Sequence, residues 1–100
     1  MLVHHETGTI TPSSGTGTAT IGNNGSQMMM QIFLKPTTAT TTHDFKLTDR
    51  NSLDIFERTK ETGTYNELKV GLIVYGQLTL TISNASADEA FTYLLTYRES

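Results

Sequence analysis

The stretch Gln77-Leu-Thr-Leu-Thr-Ile-Ser83 alternates apolar and polar residues without a fault. Successive side chains of an extended strand point to opposite faces, so Leu78, Leu80 and Ile82 share one face and Thr79 and Thr81 the other. Wound as a helix, the same residues would scatter around the axis and leave no coherent side to bury. The polar side is built from threonine rather than Lys or Glu, and that habit runs through the chain. Threonine supplies 19 of the 100 residues, while Asp, Glu, Lys and Arg together supply only 17%. Threonine is β-branched and stiff at χ1, at ease on a pleated surface and a poor helix former. A chain of this length builds one hydrophobic core, hence one domain.

Further strand patterns flank that one. Gly15-Thr-Gly-Thr-Ala-Thr-Ile21 puts Ala19 and Ile21 opposite threonines, and Asn23-Asn24-Gly25 after it has the composition of a hairpin turn. Met28 to Leu34 is nearly continuous apolar sequence, stopped at Lys35-Pro36 because Pro cannot donate to a ladder. His43 to Asp49 alternates, with Phe45 and Leu47 inward. Leu53 to Arg58 reads as a short strand in which Phe56 breaks the alternation and marks a bulge. Lys60 to Glu67, with Gly63, reads as a surface loop, and Val70 to Tyr75 as a second apolar strand. Near the C-terminus, Ser86-Ala87-Asp88-Glu89 satisfies a helix capping box, yet Phe91, Tyr93, Leu95 and Tyr97 also alternate with Thr92 and Thr96. Those residue types favour a strand from about Ala90. The sum is an all-β chain, a two-layer antiparallel sandwich or jelly roll of about seven to eight short strands. Residues 1–14 are expected to form an N-terminal arm and residues 15–100 the sandwich domain.

Composition narrows the function. The formal net charge is −3, and the seven cations Lys35, Lys46, Arg50, Arg58, Lys60, Lys69 and Arg98 are scattered. No run of them could neutralise successive phosphates, so nucleic acid is not an expected partner. Cysteine is absent, which removes disulfides, thiolate metal sites and a thiol nucleophile together. The first residues carry no secretory pattern and no apolar run is long enough for a membrane helix, so synthesis in the cytoplasm and no membrane partner are expected. His4-His5 point to opposite sides of an extended chain and make a poor metal pair. His43-Asp44, with Ser13 or Ser14, lacks a nucleophile elbow and faces apart on a strand. Asp49-x-Asn51-x-x-Asp54 lacks the glycine and terminal Glu of a calcium loop and reads as a turn. No catalytic residue, cofactor site or metal site emerges, and no enzyme is expected.

The two apolar runs say more. A sandwich strand buries one face and wets the other. Alternation through the first run groups Met28, Met30, Ile32 and Leu34 inward and leaves Met29 and Phe33 outside. In the second run Val70, Leu72 and Val74 oppose Ile73 and Tyr75. Apolar side chains on the outer face need cover, and Met and aromatic residues are typical of interface cores. Leu2, Val3, Met29, Phe33, Ile73 and Tyr75 are therefore the expected interface residues, either beneath a loop or arm or against another subunit.

From about Gly8 onward the chain resembles a group of small bacteriophage virion proteins. The matching pieces are Gly15-Thr-Gly-Thr-Ala-Thr-Ile21, Met30-Gln-Ile-Phe-Leu-Lys-Pro36, His43-Asp-Phe-Lys-Leu-Thr-Asp49, Gly71-Leu-Ile-Val-Tyr-Gly76 and Gln77-Leu-Thr-Leu-Thr-Ile-Ser83. It departs from them at Arg50-Asn51, where a Gly-containing turn is common. The resemblance implies a virion location and a role as a capsid decoration (cement) protein, a homo-oligomer, expected as a trimer, seated on the major capsid protein. Two alternatives stay open beside it: a neck, tail or fibre component of the virion, and a carbohydrate-binding module.

Overall fold

The computed structural model describes residues 3–22 and 25–99, apart from the side chain of Lys69. Eight strands succeed one another: β1 (Val3–Ile10), β2 (Gly17–Ile21), β3 (Ser26–Pro36), β4 (Thr42–Thr48), β5 (Asp54–Thr62), β6 (Tyr65–Tyr75), β7 (Leu78–Ser83) and β8 (Phe91–Glu99). Four antiparallel pairings join opposite ends of the series: β1 with β8, β2 with β7, β3 with β6 and β4 with β5. A long ribbon doubled back at the β4–β5 turn has that pairing. Two more, β8 with β3 and β7 with β4, roll the ribbon into sheets ordered β1-β8-β3-β6 and β2-β7-β4-β5. Of the two architectures expected from the sequence, this is the jelly roll.

The rolled form buries what alternation assigned inward. Ile21, Phe45, Leu47, Leu78, Leu80 and Ile82 from one sheet meet Ile32, Leu34, Phe91 and Leu95 from the other, all essentially inaccessible to solvent. His43 shares this interior. Its Nε2 lies 3.0 Å from the Gly63 carbonyl and so carries the proton it donates, and its ring stands edge-on to Phe91 at 5.0 Å. The ambiguous C-terminal segment is strand β8, with Phe91, Tyr93, Leu95 and Tyr97 inward.

Four expectations change. The segment 1–14 is not a free arm through its described length, because Val3–Ile10 pairs residue for residue with β8 from Arg98 to Phe91. β2 and β3 are not hairpin partners; they lie in different sheets, and the turn residues Asn23 and Asn24 fall outside the described residues. Lys60 to Glu67 is not a loop: β5 continues to Thr62 and β6 begins at Tyr65, with a corner at Gly63. Gly63 sits at φ +68°, and a Cβ there would come within 2.5 Å of the Ala39 carbonyl oxygen, so only glycine fits this corner.

The fourth is a bulge. Against β8, Met29 pairs Tyr97 and Gln31 pairs Thr96, leaving Met30 as an extra residue. The extra residue reverses the facing of everything before it. Gln27 and Met29 therefore point inward together with Ile32 and Leu34, while Met28 points outward. The outward placement expected for Met29 is corrected: it is 0% exposed. A second bulge, expected at Phe56, falls at Ile55 beside it.

Candidate docking face

The outer face of the β1-β8-β3-β6 sheet gathers the apolar side chains that the fold leaves outside. Pairing registers arrange it in rows across the strands. One row runs Val3, Arg98, Met28, Ile73. The next runs His5, Thr96, Gln31, Leu68, and the third Thr7, Leu94, Phe33, Asn66. Tyr75 stands beyond the first row, opposite Ser26. Among the described residues, four of the five exposed large apolar side chains lie here: Val3 (45%), Leu68 (62%), Ile73 (57%) and Tyr75 (61%). The fifth, Leu53, is on the β4–β5 turn.

Between the apolar rows the polar row is hydrogen-bonded in one direction. Thr96 Oγ1 donates to Gln31 Oε1 at 3.1 Å, so its single proton is used, and His5 Nδ1 at 3.0 Å must be the donor to Thr96. Gln31 Nε2 then donates to Asn66 Oδ1 at 3.2 Å. The chain His5, Thr96, Gln31, Asn66 spans all four strands and buries Thr96 although it points outward. Arg98 Nη2 reaches the Met28 sulfur at 3.4 Å.

None of the ten carboxylates is on this face. Glu6, Glu61, Glu67 and Glu99 share the pairing side of inward residues; Asp44, Asp54 and Glu57 belong to the other sheet's outer side; Asp49, Asp88 and Glu89 are in connections. The opposite sheet is a different surface altogether. Thr18, Thr20, Thr79, Thr81, Lys46 and Thr48 cover its outside, and a trough of about 700 Å³ there is lined by threonine, serine, glutamine and charged side chains, with no aromatic ring among them.

Of the expected interface residues, Val3, Phe33, Ile73 and Tyr75 come together on this one face, Met29 is in the core, and Leu2 lies outside the described residues. Met28, Leu68 and Leu94 were missed. Met28 was hidden by the bulge and Leu68 by the expectation of a loop nearby. Leu94 sat in the alternation of β8, on the side of Thr92 and Thr96, and was legible there.

The constellations weighed for chemistry are dispersed. His4 stacks on Tyr97 while His5 bonds Thr96 on the other side of β1. His43 is inside and Asp44 outside, where the Lys60 backbone N–H and then the Asn84 amide hold the Asp44 carboxyl below its ordinary range. Asp49 Oδ1 accepts the backbone N–H groups of Asn51 and Leu53, both at 2.9 Å, which makes the segment a braced turn. Among the described residues no group of three or more His, Cys, Asp or Glu side chains could hold a metal ion.

No family model and no curated protein matches the chain. Among solved structures it is similar to the cryo-EM structure of the virus-like particle of extra small virus (XSV) of the giant freshwater prawn Macrobrachium rosenbergii. That match has 13% identity, covers 100% of this chain and 81% of that one, and has a TM-score of 0.32.

Proposed function

We propose that this chain is a bacteriophage virion structural protein, a capsid decoration (cement) protein that associates with itself and with the major capsid protein and stabilises the head from its outer surface. The observation that carries the proposal is a jelly roll that gathers four exposed large apolar side chains on one outer face, with no Asp or Glu side chain there. Jelly rolls serve as capsid domains, and an apolar face of this kind on so small a chain is a contact surface. The work is mechanical, burying surface between subunits rather than performing a reaction. Many copies of a modest contact sum through effective concentration. The resemblance of the strand and turn motifs to small phage virion proteins supports the same role.

The test is loading onto purified heads that lack the protein. The wild-type chain is expected to co-sediment in many copies per head, and Ile73→Asp to stay in the supernatant. Equal loading of both would overturn the proposal. Loading at only a few copies per particle would instead assign the chain to a neck, tail or fibre. Jelly rolls also serve as lectins, and the polar trough on the opposite sheet makes a glycan array the check on that alternative.

A further inference from the structure

We infer that the apolar face of the β1-β8-β3-β6 sheet is covered by the same face of a second copy, related by a two-fold axis that runs along the strands between β8 and β3. This deepens the proposed function and rests on it for the idea that the face is a contact surface.

Size comes first. The molecule measures 37 × 24 × 19 Å, so its broad side is bounded at about 900 Å², close to the roughly 800 Å² that a specific interface takes from each partner. The face can therefore make one contact of standard size and has no room for two different partners side by side.

Pattern comes next. An isologous contact must be self-complementary, with residue i meeting j and j meeting i. The two middle strands carry the pairs Arg98–Met28, Thr96–Gln31, Leu94–Phe33 and Thr92–Lys35. A two-fold between them lays each row on its own reverse. Leu94 then meets Phe33 of the second copy, Thr96 meets Gln31, and Val3 at one margin meets Ile73 from the other. Apolar side chains meet at Leu94–Phe33 and Val3–Ile73, at the margins Thr7 meets Asn66 and His5 meets Leu68, and the two hydrogen-bonded chains run in opposite directions, so their dipoles oppose. Arg98 lies over Met28 and Lys35 over Thr92, so neither of these two cations faces another.

Charge is compatible with a second copy. This face carries Arg98 and Lys35 and no Asp or Glu side chain, and the two-fold sets each of these cations against an uncharged side chain, so no like charges lie directly opposite each other and no carboxylate is driven into an apolar row. A cyclic trimer, expected from the sequence, would need two different complementary surfaces. The row pattern supplies one that matches itself.

The experiment uses the full chain, which has no cysteine of its own. Light scattering and sedimentation equilibrium should give a mass of two chains of 11.0 kDa each. Phe33→Asp should weaken association by about 100-fold or more, as expected for a central apolar anchor. Thr81→Asp, on the outside of the other sheet, should leave it unchanged, with circular dichroism confirming that both variants are folded. As a second readout, Gln31→Cys with a short bis-maleimide should give a covalent dimer, and Thr20→Cys should not. A one-chain or three-chain mass, equal effects of Phe33→Asp and Thr81→Asp, or cross-linking through Thr20→Cys in place of Gln31→Cys would overturn the inference. A wild-type chain that is monomeric in solution, and whose loading onto heads Ile73→Asp abolishes, would overturn the dimer and leave the virion role standing.

Discussion

Replacing Met28 and Met29 by alanine, one at a time, tests the bulge on which the whole outer surface of β3 depends. Met29 is 0% exposed and belongs to the central apolar cluster. Its loss removes buried side-chain atoms and leaves a cavity between two sheets that cannot collapse far, a cost of about 2–5 kcal/mol. Met28 is half-buried on the outside, and its truncation in a monomer loses only part of a side chain's burial, about 1 kcal/mol or less. With a urea slope of about 1.5 kcal/mol/M, in the range for small domains, Met29→Ala should lower the unfolding midpoint by about 2 M and Met28→Ala by about 0.5 M. The measurement is urea unfolding followed by circular dichroism, at a protein concentration low enough that self-association contributes nothing. Because the two residues are adjacent and chemically identical, helix or strand propensity cancels in the comparison. A larger shift for Met28→Ala, or equal shifts, would mean that strict alternation runs through Met30 and that no bulge reverses the facing of Met29.

Three other outcomes follow from the same geometry. The Asp44 carboxyl is held low by the Lys60 N–H and Asn84, and the Glu89 carboxyl by the Thr41 hydroxyl first and then Thr38. A carboxyl whose folded-state pKa is depressed stabilises the fold above its unfolded value and loses that contribution as pH falls through the folded one. Stability should thus decline below about pH 4.5, and Asp44→Asn with Glu89→Gln should flatten that decline in urea midpoints compared between pH 7 and pH 3. Burial, then the hydrogen bond to Glu67, pushes the Tyr65 phenol up to about 12. A raised phenol stabilises the fold below its unfolded value and loses that contribution as pH rises from about 10 to about 12, so an ultraviolet titration should show a last tyrosine step that Tyr65→Phe removes. Gly63→Ala should cost more than about 1 kcal/mol in thermal or urea unfolding, because the corner requires positive φ and the Ala39 carbonyl fills the space a methyl would occupy.

How much of this was legible depended on whether the signal was local. The alternation of β7 and β8 named their inward residues correctly, because period two is a property of a few neighbouring side chains. The parity of β3 was not legible, since Met28, Met29 and Met30 are the same residue and nothing local distinguishes the extra one. Val3–Ile10 looked like an arm because it is polar, and it is a strand because β8, at the far end of the sequence, supplies its partner groups. Asn-Gly suggested a hairpin where the chain in fact changes sheets, and Gly63 suggested a loop where it turns a corner between two long strands. Turn chemistry reports that the chain bends, without reporting which sheet receives it. The docking face followed the same division. Val3, Phe33, Ile73 and Tyr75 were recognisable one by one as apolar residues in need of cover, whereas their assembly on one surface is a product of the β1-β8-β3-β6 order.

That order has a consequence for how the molecule comes into being. β8 is the last strand along the chain, yet it sits between β1 and β3. Until Phe91–Glu99 has emerged during synthesis, β1 has no neighbour in its sheet and one edge of β3, with its methionines and Phe33, stands unpaired. Closing the sheet then requires contacts between segments almost the full chain apart, a slow step during which open strand edges can capture one another. Removing the last ten residues would therefore not trim a tail. It would take the keystone from the sheet and leave a nascent polypeptide prone to aggregate.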